Sequence, residues 1–286
     1  MSDWLDKVLD SHCHLWELER FRYPWPTPGM VIHRDHRVED LWLAMSHTPV
    51  RDVVFVQCLN DSPEEAKWVM SLAREHPRIK GIVAGLDPSH SQFESRLEAL
   101  QKEVPLLVGV RHILDLEPRE KYLLEESLPA GLNALHKRNL TFDLLLRPPR
   151  VEDAAVLASR VPEAKMVVDH LAKPYIAAGK LDPWREHMAA LARHPNVYCK
   201  LSGMVPEANL DSWKPEDFRP YVEHMLSVFG CDRLMFGSDW PVCRVAGEGT
   251  DYNEVFSTLR QLLQHLPDHQ QEKIFCTNAR TFYNIQ

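Results

Sequence analysis

His12 and His14 stand one residue apart in VLDSHCHLW, residues 8–16, where an apolar run ends. In an extended chain, residues two apart point to the same side, so both imidazoles can converge on one point while Cys13 faces away. Paired imidazoles aimed together suit a metal ion or a proton-transfer site. The plainer alternative is two histidines that happen to stand where a strand meets a loop, in a chain with 15 His. The choice turns on whether other reactive side chains are delivered to the same place.

Eight short apolar runs rich in Val, Ile and Leu are spaced along the chain: KVLDSH, RDVVFVQC, IKGIVAGLD, LLVGVRHI, TFDLLLRP, KMVVDH, NVYCKLSG and RLMFGSD. Near-continuous apolarity predicts strands buried on both faces, as in a parallel sheet. Amphipathic segments lie between them. In DSPEEAKWVMSLAREHP, Asp61 or Ser62 can cap a helix, Pro63 suits its first turn, and Glu64 and Glu65 complement its dipole. RVEDAAVLASRVP, DPWREHMAALARHP, KPEDFRPYVEHMLSVFG and YNEVFSTLRQLLQHLP are amphipathic in the same way. This alternation predicts an α/β fold, a (β/α)8 TIM barrel in one domain over residues 1–286. A doubly wound open sheet is the competing arrangement, but no G-x-G-x-x-G follows the first run.

Such barrels place their chemistry at the C-terminal ends of the strands. There the first run offers His12 and His14, the second Gln57, and the fourth Arg111 and His112. The fifth carries Asp143, the sixth ends in Asp169 and His170, the seventh carries Lys200 and Ser202, and the eighth ends in Ser238 and Asp239. Any one of these could be a satisfied polar residue near a loop. Together they collect at strand ends whose bodies stay apolar, which favours a shared site.

Composition narrows the partners. A hydrophobic fraction of 44% and a charged fraction of 26% are those of an ordinary soluble globular protein. Net charge is −8, from 33 basic and 41 acidic residues, and no basic cluster interrupts it, so no nucleic-acid partner is expected. MSDWLDKVLD has no apolar signal region and no run reaches membrane-spanning length, so no membrane partner is expected either. Six cysteines without a C-x-x-C pair read as reduced, mostly buried thiols of a cytoplasmic protein.

His12-x-His14, VVDHLAKP around His170 and MFGSDWP around Asp239 resemble the amidohydrolase superfamily. GVRHI, CKLSG and the terminal NARTFYNI narrow the resemblance to its amidohydrolase-related branch, which includes sugar lactonases and the pyrone-dicarboxylate lactonase. HCHLW followed by YPW and then GVRH is most similar to members that open L-fuconolactone. The two-metal hydrolases of the wider superfamily use a bridging carboxylated Lys and two further His ligands late in the barrel. Here His170 is the one suitable later histidine and the seventh run reads CKLSGM, so no binuclear centre is expected. A single divalent ion, zinc or manganese, could sit on His12, His14, His170 and Asp239 with room for water. The resemblance implies that the reaction needs little or no metal.

It also implies a carboxylic ester hydrolase of carbohydrate metabolism, a lactonase that opens a sugar aldonolactone by water attack at the lactone carbonyl. That chemistry requires a base for water and donors for the developing oxyanion. Asp239 is the candidate base, and His170 and His14, with His12, would polarise the carbonyl or hold the ion that does. Residues 15–38, LWELERFRYPWPTPGMVIHRDHRV, form a long connection before the helix begun by EDLWLAM. Its Trp16, Phe21, Tyr23 and Trp25 make it too aromatic for a disordered linker, and it reads as a lid or wall over the barrel mouth. Candidates to hold the sugar are Trp16 and Trp25 with Arg111, His112, Gln57, Asp143, Lys200 and Trp240. Neighbours on a strand point oppositely, so one of Arg111 and His112 faces the site. Lys173 lies in the following loop, and His33, His36, His47 and His76 are expected at the surface.

Two other readings stand beside the lactonase. A zinc-dependent decarboxylase of the same superfamily, acting on an aromatic or unsaturated acid, would use the same three histidines and aspartate. It would call for a cluster of arginines, of which the strand ends supply Arg111. A non-catalytic barrel serving as a binding protein would not need so coherent a set. The sequence admits a homo-oligomer.

Overall fold

Each of the eight apolar runs forms a strand. These are β1 (Val8–Cys13), β2 (Val50–Val56), β3 (Ile79–Gly85), β4 (Leu107–His112), β5 (Thr141–Leu144), β6 (Met166–Val168), β7 (Val197–Leu201) and β8 (Leu234–Phe236). The computed structural model describes residues 4–60, 62–114, 117–247 and 250–286. All strand pairs are parallel and run in chain order from β1 to β8. Between them lie α1 (Val38–Ala44), α2 (Pro63–Glu75), α3 (Phe93–Glu103), α4 (Leu128–His136), α5 (Val151–Arg160), α6 (Trp184–Leu191) and α7 (Pro215–Phe229). After β8 come α8 (Tyr252–Leu263), α9 (Asp268–Glu272), a π-helical turn (Lys273–Thr277) and α10 (Asn278–Tyr283). The result is a (β/α)8 barrel.

Strand alternation divides the core in two. Val8, Val53, Phe55, Ile82, Phe142, Val168 and Phe236 pack outward under the helices. Leu9, Val54, Val56, Val83, Val167 and Met235 take the alternate positions and fill the barrel, with Phe282 and Tyr283 of α10 packed on them. Among the described residues no helix is long and apolar enough to cross a membrane. All six cysteines are free thiols.

The barrel closes where β8 returns to β1. Cys13 bridges to Trp240 in parallel pairing. His14 N–H donates to Trp240 O at 2.7 Å, and Asp239 N–H donates to His12 O at 2.8 Å. Beneath this seam the buried Asp10 carboxylate accepts from His12 N (3.0 Å), Ser238 N (2.9 Å), Ser238 Oγ (2.6 Å) and Tyr252 Oη (2.7 Å). The backbone bonds that seal the barrel therefore also set His12, His14 and Asp239 side by side.

Ser62 caps α2, its Oγ accepting from Glu64 N at 3.3 Å; Asp61, the other candidate, lies outside the described residues. Glu65, two residues into that helix, is buried and its Oε2 accepts from Cys58 N at 3.2 Å. Burial pushes its carboxyl up to about 8, against the pull of its hydrogen bonds and of Arg111. Folded protein thus keeps this proton at pH values where the unfolded chain has lost it, so the stability Glu65 supports below about pH 4.5 drains away as pH rises towards 8. Glu65→Gln mimics the protonated acid. It should match the parent in urea melts near pH 4.5 and exceed it by about 4 kcal/mol at pH 7.5. A gap that does not grow with pH would show Glu65 to be ionised in the fold.

Candidate active site

Four side chains from three strand ends meet at the C-terminal mouth. His12 Nε2 lies 3.2 Å from His14 Nε2. Asp239 Oδ1 lies 3.3 Å from His14 Nε2, 3.7 Å from His170 Nε2 and 3.9 Å from His12 Nε2. The far nitrogens of two rings are tied down: His14 Nδ1–H donates to Val56 O at 2.8 Å, and His170 Nδ1 pairs with Ser202 Oγ at 2.9 Å. Burial pushes Asp239 upward, yet His170 and His14 together draw it below its ordinary value, so it is a carboxylate at neutral pH. Burial holds His170 down at about 4, against the opposing pull of Asp239 and Asp169.

Local backbone delivers these groups at a cost. Asp239 has φ +56°, and His170, Leu171, Ala172 and Lys173 follow β6 with φ between +50° and +58°. Left-handed residues other than glycine carry strain of about 1–2 kcal/mol each. Trp184 Nε1–H pins the turn by donating to Leu171 O at 2.7 Å. Gly203 (φ +57°) lies so close beneath the His170 ring that a Cβ there would sit 2.4 Å from Nδ1.

Below the histidines is a buried ion network. Lys200 Nζ donates to Asp143 Oδ2 (2.5 Å) and to His12 Nδ1 (3.0 Å), and lies 3.0 Å from Asp169 Oδ1. Arg111 Nη1 donates to Asp169 Oδ2 at 3.0 Å, and its Nη2 donates to Gln57 O. Tyr283 Oη donates to Asp143 Oδ2 at 2.7 Å. Burial and the Lys200 ammonium hold His12 well below the ordinary imidazole range. Against the upward push of burial, Lys200, His12 and Arg111 keep Asp169 well below the carboxylate range.

Above them opens a cavity of about 580 Å³ lined by His14, Arg111, His170 and Asp239 at its base and by Trp16, Trp25 and Met30 on one side. That volume suits a small-molecule site. The long connection forms this wall, and its ends are zipped together by Trp16–His36 backbone bonds of 2.8 and 3.1 Å. Phe21 and Tyr23 face away from the cavity, and Phe21 packs on Trp68 of α2.

His12, His14 and Asp239 fit a single first-row ion, whereas His170, expected as a fourth ligand, groups instead with His12 and Asp169. Donor separations of 3.2 to 3.9 Å match the edges of a coordination shell with bonds of about 2.0–2.2 Å. Without an ion, the same groups offer a carboxylate base beside imidazole and guanidinium donors.

Of the residues expected to hold substrate, Trp16, Trp25 and Arg111 line the cavity, and so does Lys173. Others are displaced. His112 points the other way from Arg111, its Nε2–H donating to the Glu117 Oε2 carboxylate at 2.7 Å and its ring packing near Tyr122. Gln57 turns back so that its Oε1 accepts from Asn60 N at 3.2 Å. Asp143 and Lys200 neutralise each other inside the barrel and do not reach the cavity. Trp240 is buried against His36 at the seam, and His36 itself is buried rather than at the surface because it fills the space between Trp16 and Trp240. Arg147 and Glu207, 3.8 Å apart, also line the cavity; they stand in loops with no pattern to announce them.

The amidohydrolase family model matches residues 9–285, and the chain belongs to that family. It is 31% identical to an L-fucono-1,5-lactonase of Burkholderia ambifaria over 97% of this chain and 95% of that one. A second L-fucono-1,5-lactonase, from Burkholderia multivorans, is 30% identical over 88% of this chain and 87% of its own. Among solved structures, an amidohydrolase from Burkholderia multivorans with bound zinc superposes with a TM-score of 0.88 at 28% identity, covering 98% of this chain and all of the other.

Proposed function

We propose that the protein hydrolyses a sugar lactone, an aldonolactone such as L-fuconolactone or a close stereochemical relative. The observation that carries this reading is the convergence of three imidazoles and one carboxylate at the base of a cavity walled by Trp16, Trp25 and Met30. Tryptophan faces suit the C–H surface of a sugar ring, and the L-fucono-1,5-lactonases similar to this chain over most of its length support the substrate class.

Asp239 accepts a proton from water as that water attacks the lactone carbonyl. Imidazole and Arg111 donors stabilise the oxyanion as it develops, worth about 2.7–4 kcal/mol for a single well-placed donor. The protonated Asp239 then gives that proton to the leaving ring oxygen, which restores its carboxylate, while His170 beside it keeps the acid in place. A lactone alkoxide needs less help than an amine would, which is why a carboxylate of low basicity suffices. His12, His14 and Asp239, with His170 beside them, would hold a divalent ion, which would add Lewis-acid polarisation of the carbonyl.

A proton-release screen of aldonolactones, run on chelated and zinc-loaded protein, tests this reading. Hydrolysis of L-fuconolactone or a stereoisomer is expected, with at most one ion per chain and only partial loss of rate on chelation. Complete loss on chelation with recovery on zinc would overturn the metal-tolerant reaction. Release of CO2 from an aromatic acid, with no action on any aldonolactone, would overturn the substrate class.

A further inference from the structure

We propose that Lys173 is a further catalytic residue, a cation aimed into the cavity to stabilise the negative charge that develops on the lactone carbonyl oxygen. The left-handed segment after β6 leads there. His170, Leu171, Ala172 and Lys173 have φ of +55°, +53°, +58° and +50°. Each carries strain of about 1–2 kcal/mol. Such strain persists only where the surrounding structure enforces it, and it gathers at functional sites. Lys173 N–H donates to His170 O at 2.7 Å, which closes a turn of the 3-10 type. Side chains three apart eclipse in that geometry, and its mirror image keeps the relation. His170 and Lys173 therefore project to one side, and both line the cavity. Leu171 and Ala172 between them are fully buried and do not line it, and Trp184 Nε1–H holds Leu171 O. The strained turn thus delivers two side chains to the site, of which the mechanism above uses one.

The placement of the other cations agrees. Arg111 directs its guanidinium to Asp169 Oδ2 and Gln57 O, and Lys200 directs its ammonium to Asp143 and Asp169. Both are buried, whereas Lys173 is only partly buried, on the cavity side. As water attacks the carbonyl carbon and Asp239 takes its proton, the carbonyl π pair moves onto the carbonyl oxygen. A Lys173 N–H donates to that oxyanion and keeps its proton. When the oxyanion collapses, the ring C–O bond breaks and the ring oxygen takes the proton held by Asp239. The ring-opened acid, once ionised, leaves a carboxylate facing the same ammonium.

This inference rests on the lactonase reading. Lys173→Met keeps the length of the stem and the backbone strain while removing the charge and its donors. On the best aldonolactone of the screen, with chelated protein, kcat should fall about 10²-fold while KM changes less than about 3-fold. Lys173→Arg restores a cation with N–H donors and should recover about 10-fold of that loss. A lysine that merely supports the fold would show neither the split between kcat and KM nor the rescue. Calorimetry reads the same charge without turnover: the ring-opened aldonate should bind Lys173→Met about 10-fold more weakly than the parent. If the methionine variant does not fold, Lys173→Gln carries both comparisons. Turnover within about 3-fold of the parent by either folded variant would overturn the proposal and leave the lactonase reading standing. A parent protein that opens no aldonolactone would overturn both.

Discussion

Asp239→Asn should lower kcat by about 10²–10⁴-fold and leave the fold in place. The amide keeps the volume of the carboxylate but cannot take a proton from water. Asparagine also suits the backbone, because φ at this position is +56° and asparagine is enriched in left-handed conformations. The seam bond from the residue 239 N–H to His12 O uses main-chain atoms alone and survives the change. Asp239→Ala would mix lost basicity with a strained backbone, so the amide is the cleaner probe. Steady-state kinetics and a urea melt together check the expectation. Near-parental turnover by a folded Asp239→Asn protein would pass the role of base to one of the histidines.

Gly203→Ala is expected to be nearly as damaging, although residue 203 takes part in no proton transfer. An alanine there must hold φ +57°, at about 1–2 kcal/mol, and must place a methyl 2.4 Å from His170 Nδ1 and 2.5 Å from its Cγ. The ring cannot absorb that overlap in place, because the bond to Ser202 Oγ and the left-handed turn beneath it fix its position. It must shift by the better part of an ångström, a displacement that can cost about 10²-fold in rate. Gly179→Ala supplies the control, since Gly179 has φ +60° but no atom within 4 Å of where its Cβ would go. That variant should lose stability by the backbone term alone and keep its turnover. Equal kinetics for the two variants would show that the His170 ring has room to move.

The barrel was legible because its signals are dense and local: eight apolar runs, each buried on both faces. Four helices, α3, α4, α9 and α10, were not. The segment of α4 carries Pro129 and Gly131, which read as breakers, yet the proline falls in its first turn and the missing Cβ of Gly131 lets the helix approach Pro88 O. The polar α3 turns only Phe93, Leu97 and Leu100 inward, too few apolar positions to stand out. Within the site, His12, His14, His170 and Asp239 could be found because strand ends are predictable places. Strand direction could not say that Lys200 and Asp143 would spend their charges on each other beneath the site. Nor could it show that His112 would turn outward to Glu117, or that His170 would stand on four consecutive left-handed residues. Those outcomes depend on partners distant in the chain, such as Tyr283 beside Asp143 and Gly203 beneath His170.

The seam between β1 and β8 has a bearing on the life of the chain before it is whole. His12 and His14 close the first strand, and Asp239 stands just after the eighth, so synthesis delivers the imidazoles long before the carboxylate. A polypeptide still lacking its eighth strand holds the imidazoles without the Asp239 carboxylate, however much of its core has condensed. Only the final strand, docking through the main-chain bonds of His12, His14, Asp239 and Trp240, brings base and donors together. The site is thereby assembled only in a molecule whose ring has been joined.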